Sequence, residues 1–300
     1  MESTIADSRT PGDDVPEASS RILRFMDGDR ADDFRTLSTF LTLLALHVGL
    51  RHLHLGIREA EPAFFVSSAL ALAAAAGCAL EARRDALRWS LPLLVGTVAL
   101  FASHKPALGN HAALESLLLL AVALAVPVTA ARAGTIAALF RWSCVLLFLH
   151  SGVQKIIYGA YFNGSFLARR IHDDRFAWVL DLALPRAEFV ALHTADPLGP
   201  MVFESVGGLL LSNAVYLSEV GCALLLSIPA TRRLGLVASI LTVIGIEVVA
   251  REVGFGLMFI LMLLLFRPQT YAGRGVVAFV IGAHLALGVT ELLAPGVLLW

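Results

Sequence analysis

Long apolar runs separated by short polar breaks restrict the fold of this chain more than any other feature. An α-helix needs about 20 residues to cross the roughly 30 Å of hydrocarbon in a bilayer. Nine segments are candidates for such helices, and they are 34–56, 62–80, 90–103, 111–128, 135–157, 203–228, 234–250, 252–267 and 274–294. Two of them, the third and the eighth, are short or weakly bounded. The sequence therefore predicts an all-α, polytopic integral membrane bundle of 8–9 transmembrane helices.

The bulk composition supports the same class. The mean hydropathy is +0.76 and 57% of the residues are hydrophobic. Only 16% are charged, against about 25% in a typical soluble domain. The lipid bilayer is the predicted partner, and the net charge of −1 gives no indication of nucleic-acid binding. The cysteines lie inside apolar runs without the spacing of metal ligands, so no metal site is predicted.

Two regions lie outside the predicted spans. Residues 1–28 are polar and contain prolines, which is typical of a disordered tail preceding a transmembrane domain over 29–300. The long connection 158–202 mixes polar and aromatic residues, and it predicts interfacial helices that lie on the membrane. Arginines flank the presumed inner ends of the spans more often than the outer ends, so the N-terminus is predicted to be cytoplasmic.

With this topology, polar side chains from several spans collect at the outer leaflet. Arg51 ends the first span there, Glu115 lies one turn into the fourth, and Lys155 ends the fifth. Glu247 and Arg251 end the seventh span on the same side. Two readings remain open: the arginines are interfacial anchors and Glu247–Arg251 is a structural pair, or these residues bind a polar substrate.

Lys155 is one of only two lysines in the chain, whereas most other basic positions are arginine. An ionisable group near hydrocarbon costs roughly 2.5–3.5 kcal/mol on insertion scales, and a desolvated lysine can act as a base. The small residues Ser151 and Gly152 before it predict close helix packing. Alternatively, Lys155 is a headgroup anchor. Glu219, near the middle of the sixth span, is either a structural hydrogen-bonding group or part of a proton path.

Two short motifs resemble a known family. The segment His150-Ser-Gly-Val-Gln-Lys-Ile156 is similar to the lysine-bearing helix end of vitamin K-dependent γ-glutamyl carboxylases and of bacterial horizontally transferred transmembrane domain proteins. Upstream, Asn110-His111-Ala-Ala-Leu114 resembles the Asn-His-x-x-Leu stretch of the same family. The resemblance implies that Lys155 is the base that starts quinol oxidation, that His111 assists it, and that Asn110 belongs to the same site.

The resemblance also implies a function. We expect a quinol-dependent membrane enzyme, a carboxylase-like lyase, that acts on a peptide or small substrate with a reduced isoprenoid quinone, either menaquinol or vitamin K hydroquinone. A pocket between the fourth and fifth spans would receive the quinol. The expected location is the bacterial inner (plasma) membrane, and a peptide, a protein or another membrane protein is the expected partner.

A second class of function remains open. The chain is then a non-catalytic membrane component, such as a peptide maturation or immunity factor, or a transporter-like or DoxX-like subunit. DoxX-like proteins carry a comparable small-Gly-x-x-Lys segment. Replacing Lys155 with arginine separates the two classes, because a guanidinium does not deprotonate and cannot serve as the base.

Overall fold

The computed structural model describes residues 30–80, 91, 93–98, 111–124, 130–250 and 253–266, together with positions 282, 283, 286 and 290. Over these residues all regular structure is helical, which agrees with the predicted all-α class. The predicted disordered tail, 1–28, lies outside the described residues.

The first two helices form an antiparallel hairpin. Helix α1 spans Arg30–Glu59 and α2 spans Pro62–Leu80. Proline suits the first turn of α2 because the amide that it lacks would have no helical partner there. A hydrogen bond also joins the two helices: the Ser68 hydroxyl of α2 donates to the carbonyl of Gly49 of α1 at 2.8 Å.

The remaining helices follow in chain order. Their bounds are α3 His111–Leu124, α4 Ala130–Tyr158, α5 Ser165–Arg169, α6 Asp174–Ala183, α7 Arg186–Thr194, α8 Val206–Ser227, α9 Arg232–Ala250 and α10 Val253–Leu263. Single 3₁₀ turns occupy Arg170–His172, Pro229–Thr231 and Leu264–Phe266.

Helix α4 lies at the centre of the bundle. Its Phe140 ring packs against Phe40 of α1, with centroids 5.5 Å apart. Further along α4, Phe148 packs against Phe259 of α10 at 4.8 Å. Beyond the C-terminal end of α10, the carbonyl of Leu265 accepts a hydrogen bond from Arg141 Nε of α4 at 2.7 Å. Helices α4 and α10 are therefore antiparallel.

Four described helices are long and apolar enough to cross a membrane, and they cover Thr36–Glu59, Arg132–Tyr158, Val206–Ser227 and Pro229–Glu247. Two shorter apolar helices cover Pro62–Cys78 and Phe255–Phe266. Half of the predicted span 90–103 and most of the predicted span 274–294 lie outside the described residues. The count of 8–9 spans therefore stays a prediction, whereas four helices of spanning length and composition are found.

The connection between α4 and α8 folds into short helices, as predicted. It has a small apolar core of its own, made by Leu167, Ala168, Ile171, Leu180, Leu184, Met201 and Phe203. Gly164 precedes α5 with a φ of +72°, a backbone conformation that glycine adopts without steric cost. This connection covers the end of α4 that carries Lys155. Its predicted position at the membrane interface stays a prediction.

Candidate functional site

Lys155 forms a partly buried ion pair with Glu219. The ammonium Nζ lies 2.7 Å from Oε2 and 2.8 Å from Oε1 of the carboxylate. The exposed fractions of the two side chains are 19% and 5%. The pair joins the last turn of α4 to the middle of α8, two segments 64 residues apart in sequence. A hydrogen bond between an ammonium and a carboxylate at this distance is charge-assisted, and such bonds are stronger than those between neutral groups.

Ser151 completes this group. Its hydroxyl accepts a hydrogen bond from Lys155 Nζ at 2.7 Å and donates to Glu219 Oε1 at 3.1 Å. Ser151 and Lys155 are four residues apart, so they share one face of α4. An ammonium carries three protons. Both carboxylate oxygens and the serine hydroxyl accept from it, so the three side chains form a closed hydrogen-bonded group.

An aromatic ring lies beside the lysine. Nζ is 5.7 Å from the centroid of Tyr161, within the range of cation–π attraction, and Phe166 stacks on that ring at 4.7 Å. Burial raises the pKa of Tyr161, and the Glu219 carboxylate raises it further. The phenol therefore stays neutral at physiological pH and keeps its proton as a hydrogen-bond donor.

The ion pair forms part of the wall of a cavity of about 490 Å³. Helices α8 and α9 and the connection enclose this space, and the lining residues are mainly aliphatic and aromatic. The polar side chains that line it are Lys155, Tyr161, Ser218, Glu219 and Thr242. Such a combination, a mostly apolar pocket with a few convergent polar groups, is usual for sites that bind small apolar molecules.

A second buried polar group lies between α1, α2 and α3. Arg51 Nη1 donates to Glu115 Oε1 at 2.8 Å, and both side chains are at most 1% exposed. His47, one turn before Arg51, brings Nε2 to 3.8 Å from the same carboxylate oxygen. His52 Nδ1 lies 2.9 Å from the Ser67 hydroxyl of α2. These contacts tie three helices together within the bundle.

The structure describes only some of the other predicted site residues. Asn110 and Arg251 lie outside the described residues, and so does the side chain of His111, the first residue of α3. The predicted neighbourhood of Lys155 and His111 therefore stays a prediction. Glu247 is buried on α9 and packs against Gly256 of α10, which leaves room for the carboxylate because it has no side chain.

The position of the Lys155 pocket differs from the sequence expectation. We expected Lys155 to face a space between the fourth and fifth spans, which correspond to α3 and α4. The groove there is lined by residues such as Leu114, Ser143 and His150. Lys155 instead lines the cavity bounded by α8 and α9. The reason is the attraction of Glu219, which holds the amine against α8.

Sequence reasoning considered Lys155 and Glu219 separately and missed their pairing. One signal was available: a buried charge in an apolar span requires a partner of opposite sign. From the sequence, Ser151 is predicted only as a small packing residue. The four-residue spacing of Ser151 and Lys155 could have indicated a shared polar face.

The described residues contain no cluster of histidine, cysteine or carboxylate side chains that could hold a metal ion. Compared with protein-family models, curated proteins and solved structures, the chain has no match.

Proposed function

We propose that this protein is a membrane enzyme that moves a proton between the Lys155–Glu219 pair and an apolar substrate that bears a hydroxyl group. The observation that carries this proposal is the position of the pair at the wall of a mostly apolar cavity of about 490 Å³. A charge pair used only to join two helices could be buried in packed side chains, as Arg51 and Glu115 are. A pair that borders an open space can contact a ligand.

The chemistry follows from the hydrogen bonds. Lys155 is the donor and the Glu219 carboxylate the acceptor of the hydrogen bond between them. A pair of charges is costly beside an apolar space, and transfer of one proton from the amine to Glu219 would remove both charges. The neutral amine can then accept the proton of a substrate hydroxyl. The resulting ammonium lies beside the new oxyanion and stabilises it.

A reduced isoprenoid quinone fits these features. Its ring hydroxyls would lie at the Lys155–Glu219 end, and its tail would lie against the aliphatic lining. When bound, the quinol supplies acidic hydroxyls and reducing equivalents. The family resemblance of the Lys155 and His111 motifs supports the same substrate class. The acceptor that would be modified, a peptide or a small molecule, stays a prediction of that resemblance.

The test is a set of substitutions at the pair. We expect Lys155→Arg, Lys155→Ala and Glu219→Gln each to abolish quinol-dependent turnover, because none of them leaves an amine that can exchange a proton with a carboxylate. Turnover is measured in membranes that contain the protein as the conversion of reduced menaquinone to its epoxide, with molecular oxygen as the oxidant and water as the other product. Arg58→Ala is the control, since Arg58 forms an exposed ion pair with Glu59. Full turnover in Lys155→Arg, or none in the wild type, would refute the proposal.

A second candidate function is a non-catalytic membrane component. The closed group of Lys155, Ser151 and Glu219 favours it, because all three ammonium protons already have acceptors inside the protein. In that case the pair joins α4 to α8 and does nothing else. The exchanged double variant Lys155→Glu with Glu219→Lys would keep the protein folded. In an enzyme the same exchange moves the amine to another helix and stops turnover.

A further inference from the structure

The cavity beside Lys155 and Glu219 opens towards one side of α9. Leu241 and Gly245 both line it, and both are exposed, with 64% of the Leu241 surface accessible. These residues belong to Pro229–Glu247, one of the four helices of spanning length and composition. An exposed position in such a helix faces hydrocarbon rather than water. The opening is therefore directed into the bilayer.

The connection closes the cavity on another side. Leu167 and Leu180 are buried members of the small core of the connection, and both line the cavity. The backbone amide of Phe203 donates to the carbonyl of Asn163 at 3.1 Å, and the Ser212 hydroxyl donates to the carbonyl of Tyr161 at 2.7 Å. The first bond joins the two ends of the connection to each other, and the second fixes the beginning of the connection to α8. The exposed residues of the lining are Leu241 and Gly245 of α9 and Ala214 of α8, so a molecule of appreciable size can reach the cavity on the α8–α9 side.

We infer that the cavity binds a neutral, lipid-soluble molecule with one hydroxyl-bearing end and a long apolar tail, and that this molecule enters from the bilayer past the exposed Leu241 and Gly245 of α9. The choice of headgroup rests on the proposed function, whereas the entry route rests on the opening alone. A ligand with a carboxylate end would place its charge against Glu219, and one with an ammonium end would place its charge against Lys155. A hydroxyl can donate to the carboxylate and accept from the ammonium without adding a charge.

Gly245 gives a way to close this opening without disturbing the helices. A Cβ built at Gly245 meets no other atom within 4 Å, so a larger side chain would extend into the opening. Gly221, on α8, gives a matched control. A Cβ there also meets nothing within 4 Å, and Gly221 is not among the residues that line the cavity.

The experiment uses the full chain in nanodiscs that contain a photoreactive diazirine derivative of hexadecanol. After illumination, mass spectrometry locates the attached probe on peptides of α8 and α9. Wild type and Gly221→Phe should be labelled at the cavity residues. In Gly245→Phe the labelling should fall by about tenfold or more, which corresponds to about 1.4 kcal/mol in binding. Leu241→Ala, which widens the opening, should be labelled at least as well as wild type.

Two results would overturn the inference: undiminished labelling in a folded Gly245→Phe protein, or unlabelled cavity residues in the wild type. Unlabelled palmitic acid should compete far less well than unlabelled hexadecanol, and equal competition would contradict the headgroup assignment. Lys155→Ala separates this inference from the proposed function. It should abolish turnover but leave the tail-binding site, so the probe should still label α9 in that variant.

Discussion

At the residue scale, two ion pairs explain how a chain this apolar tolerates charge inside its bundle. Burying one ion alone costs several kcal/mol, and an opposite charge with good hydrogen bonds offsets much of that cost. Arg51 and Glu115 are almost fully buried within the bundle. Lys155 and Glu219 differ because they border a cavity. We therefore propose a structural role for the first pair and take the second as the candidate site; substrate binding by Arg51 and Glu115 stays a prediction.

The Arg51–Glu115 pair gives a stability prediction. Glu115→Gln should lower the free energy of unfolding by about 3–5 kcal/mol, because the guanidinium is left buried opposite a neutral amide. The double variant Arg51→Met with Glu115→Leu should recover most of that loss. The measurement is thermal unfolding of the purified protein in detergent.

Arg58→Met supplies the matched control for that prediction. Arg58 pairs with Glu59, but the two side chains are 34% and 42% exposed. An exposed pair contributes only about 0–1 kcal/mol, so this variant should unfold close to the wild type. If Glu115→Gln were as stable as Arg58→Met, the structural role of the buried pair would be wrong.

At the element scale, the site depends on how closely α4 approaches α8. A Cβ built at Gly152 would lie 2.6 Å from Cγ2 of Val220 and 3.1 Å from the carbonyl oxygen of Tyr216. The missing side chain allows the two helices to pack backbone against backbone. This close approach brings Ser151 and Lys155, on either side of Gly152 along α4, within reach of Glu219.

Gly152→Ala tests this packing. The added methyl group should separate the helices and lower the stability by about 1–3 kcal/mol, as overpacking usually does. Turnover should fall as well, because Lys155 is drawn away from Glu219. Gly221→Ala is the control on α8, since a Cβ there meets nothing within 4 Å; it should be neutral or slightly stabilising. Equal thermal unfolding temperatures for the two variants would contradict the packing argument.

The start of α8 gives a pH prediction. Glu188 of α7 accepts hydrogen bonds from the backbone amides of Glu204 and Ser205 at 2.6 and 3.1 Å. Partial burial alone would raise the pKa of Glu188, but the hydrogen bonds from Ser205 and from these two amides hold it below its usual value. The ionised carboxylate therefore stabilises the folded state above the pKa of a free glutamate, about 4.3. This contribution is lost as the pH falls through the lowered pKa.

Comparing the wild type with Glu188→Gln tests whether the stability contribution of Glu188 is lost towards acid pH. The wild type should be the more stable of the two near neutral pH, by about 1 kcal/mol or less because the site is largely exposed. The difference should shrink below about pH 4.3 and vanish in stronger acid. Unfolding temperatures measured from pH 7 downwards test this, and a difference that grows in acid would refute it.

At the scale of the whole molecule, the predicted orientation places the connection between α4 and α8 outside the cell and the turn between α8 and α9 inside. Leu198 lies in the connection and is 92% exposed. Ala230 lies in the Pro229–Thr231 turn and is also exposed. The native cysteines are buried, so they contribute little background to thiol labelling.

Leu198→Cys should react with a membrane-impermeant maleimide on intact cells, whereas Ala230→Cys should react only after the cells are opened. The physical reason is that the 22-residue helix α8 separates the two positions, a length sufficient to cross the hydrocarbon. Labelling of Ala230→Cys alone on intact cells would show that the orientation is the opposite of the predicted one. Labelling of both on intact cells would contradict a spanning α8.

Much of the fold was predictable from the sequence because it depends on local physics. Apolar length alone predicted helices at the first, second, fifth, sixth and seventh spans, and each of these is a helix in the structure. The proposed site was less predictable. Its residues lie on segments far apart in the chain, and apolar length gives no information about which faces of the helices meet.

The sequence by itself determined that the chain forms apolar helices, that Lys155 and Glu219 lie where a charge needs a partner, and that Gly152 permits close packing. Only the tertiary structure decided that these two residues are each other's partner and that they border a cavity beside α9. The reason is physical: helix formation depends on neighbouring residues and on the solvent around them. The pairing of two charges depends on how each helix is rotated about its axis and how far it is shifted along its neighbour. No short-range sequence pattern determines these two quantities.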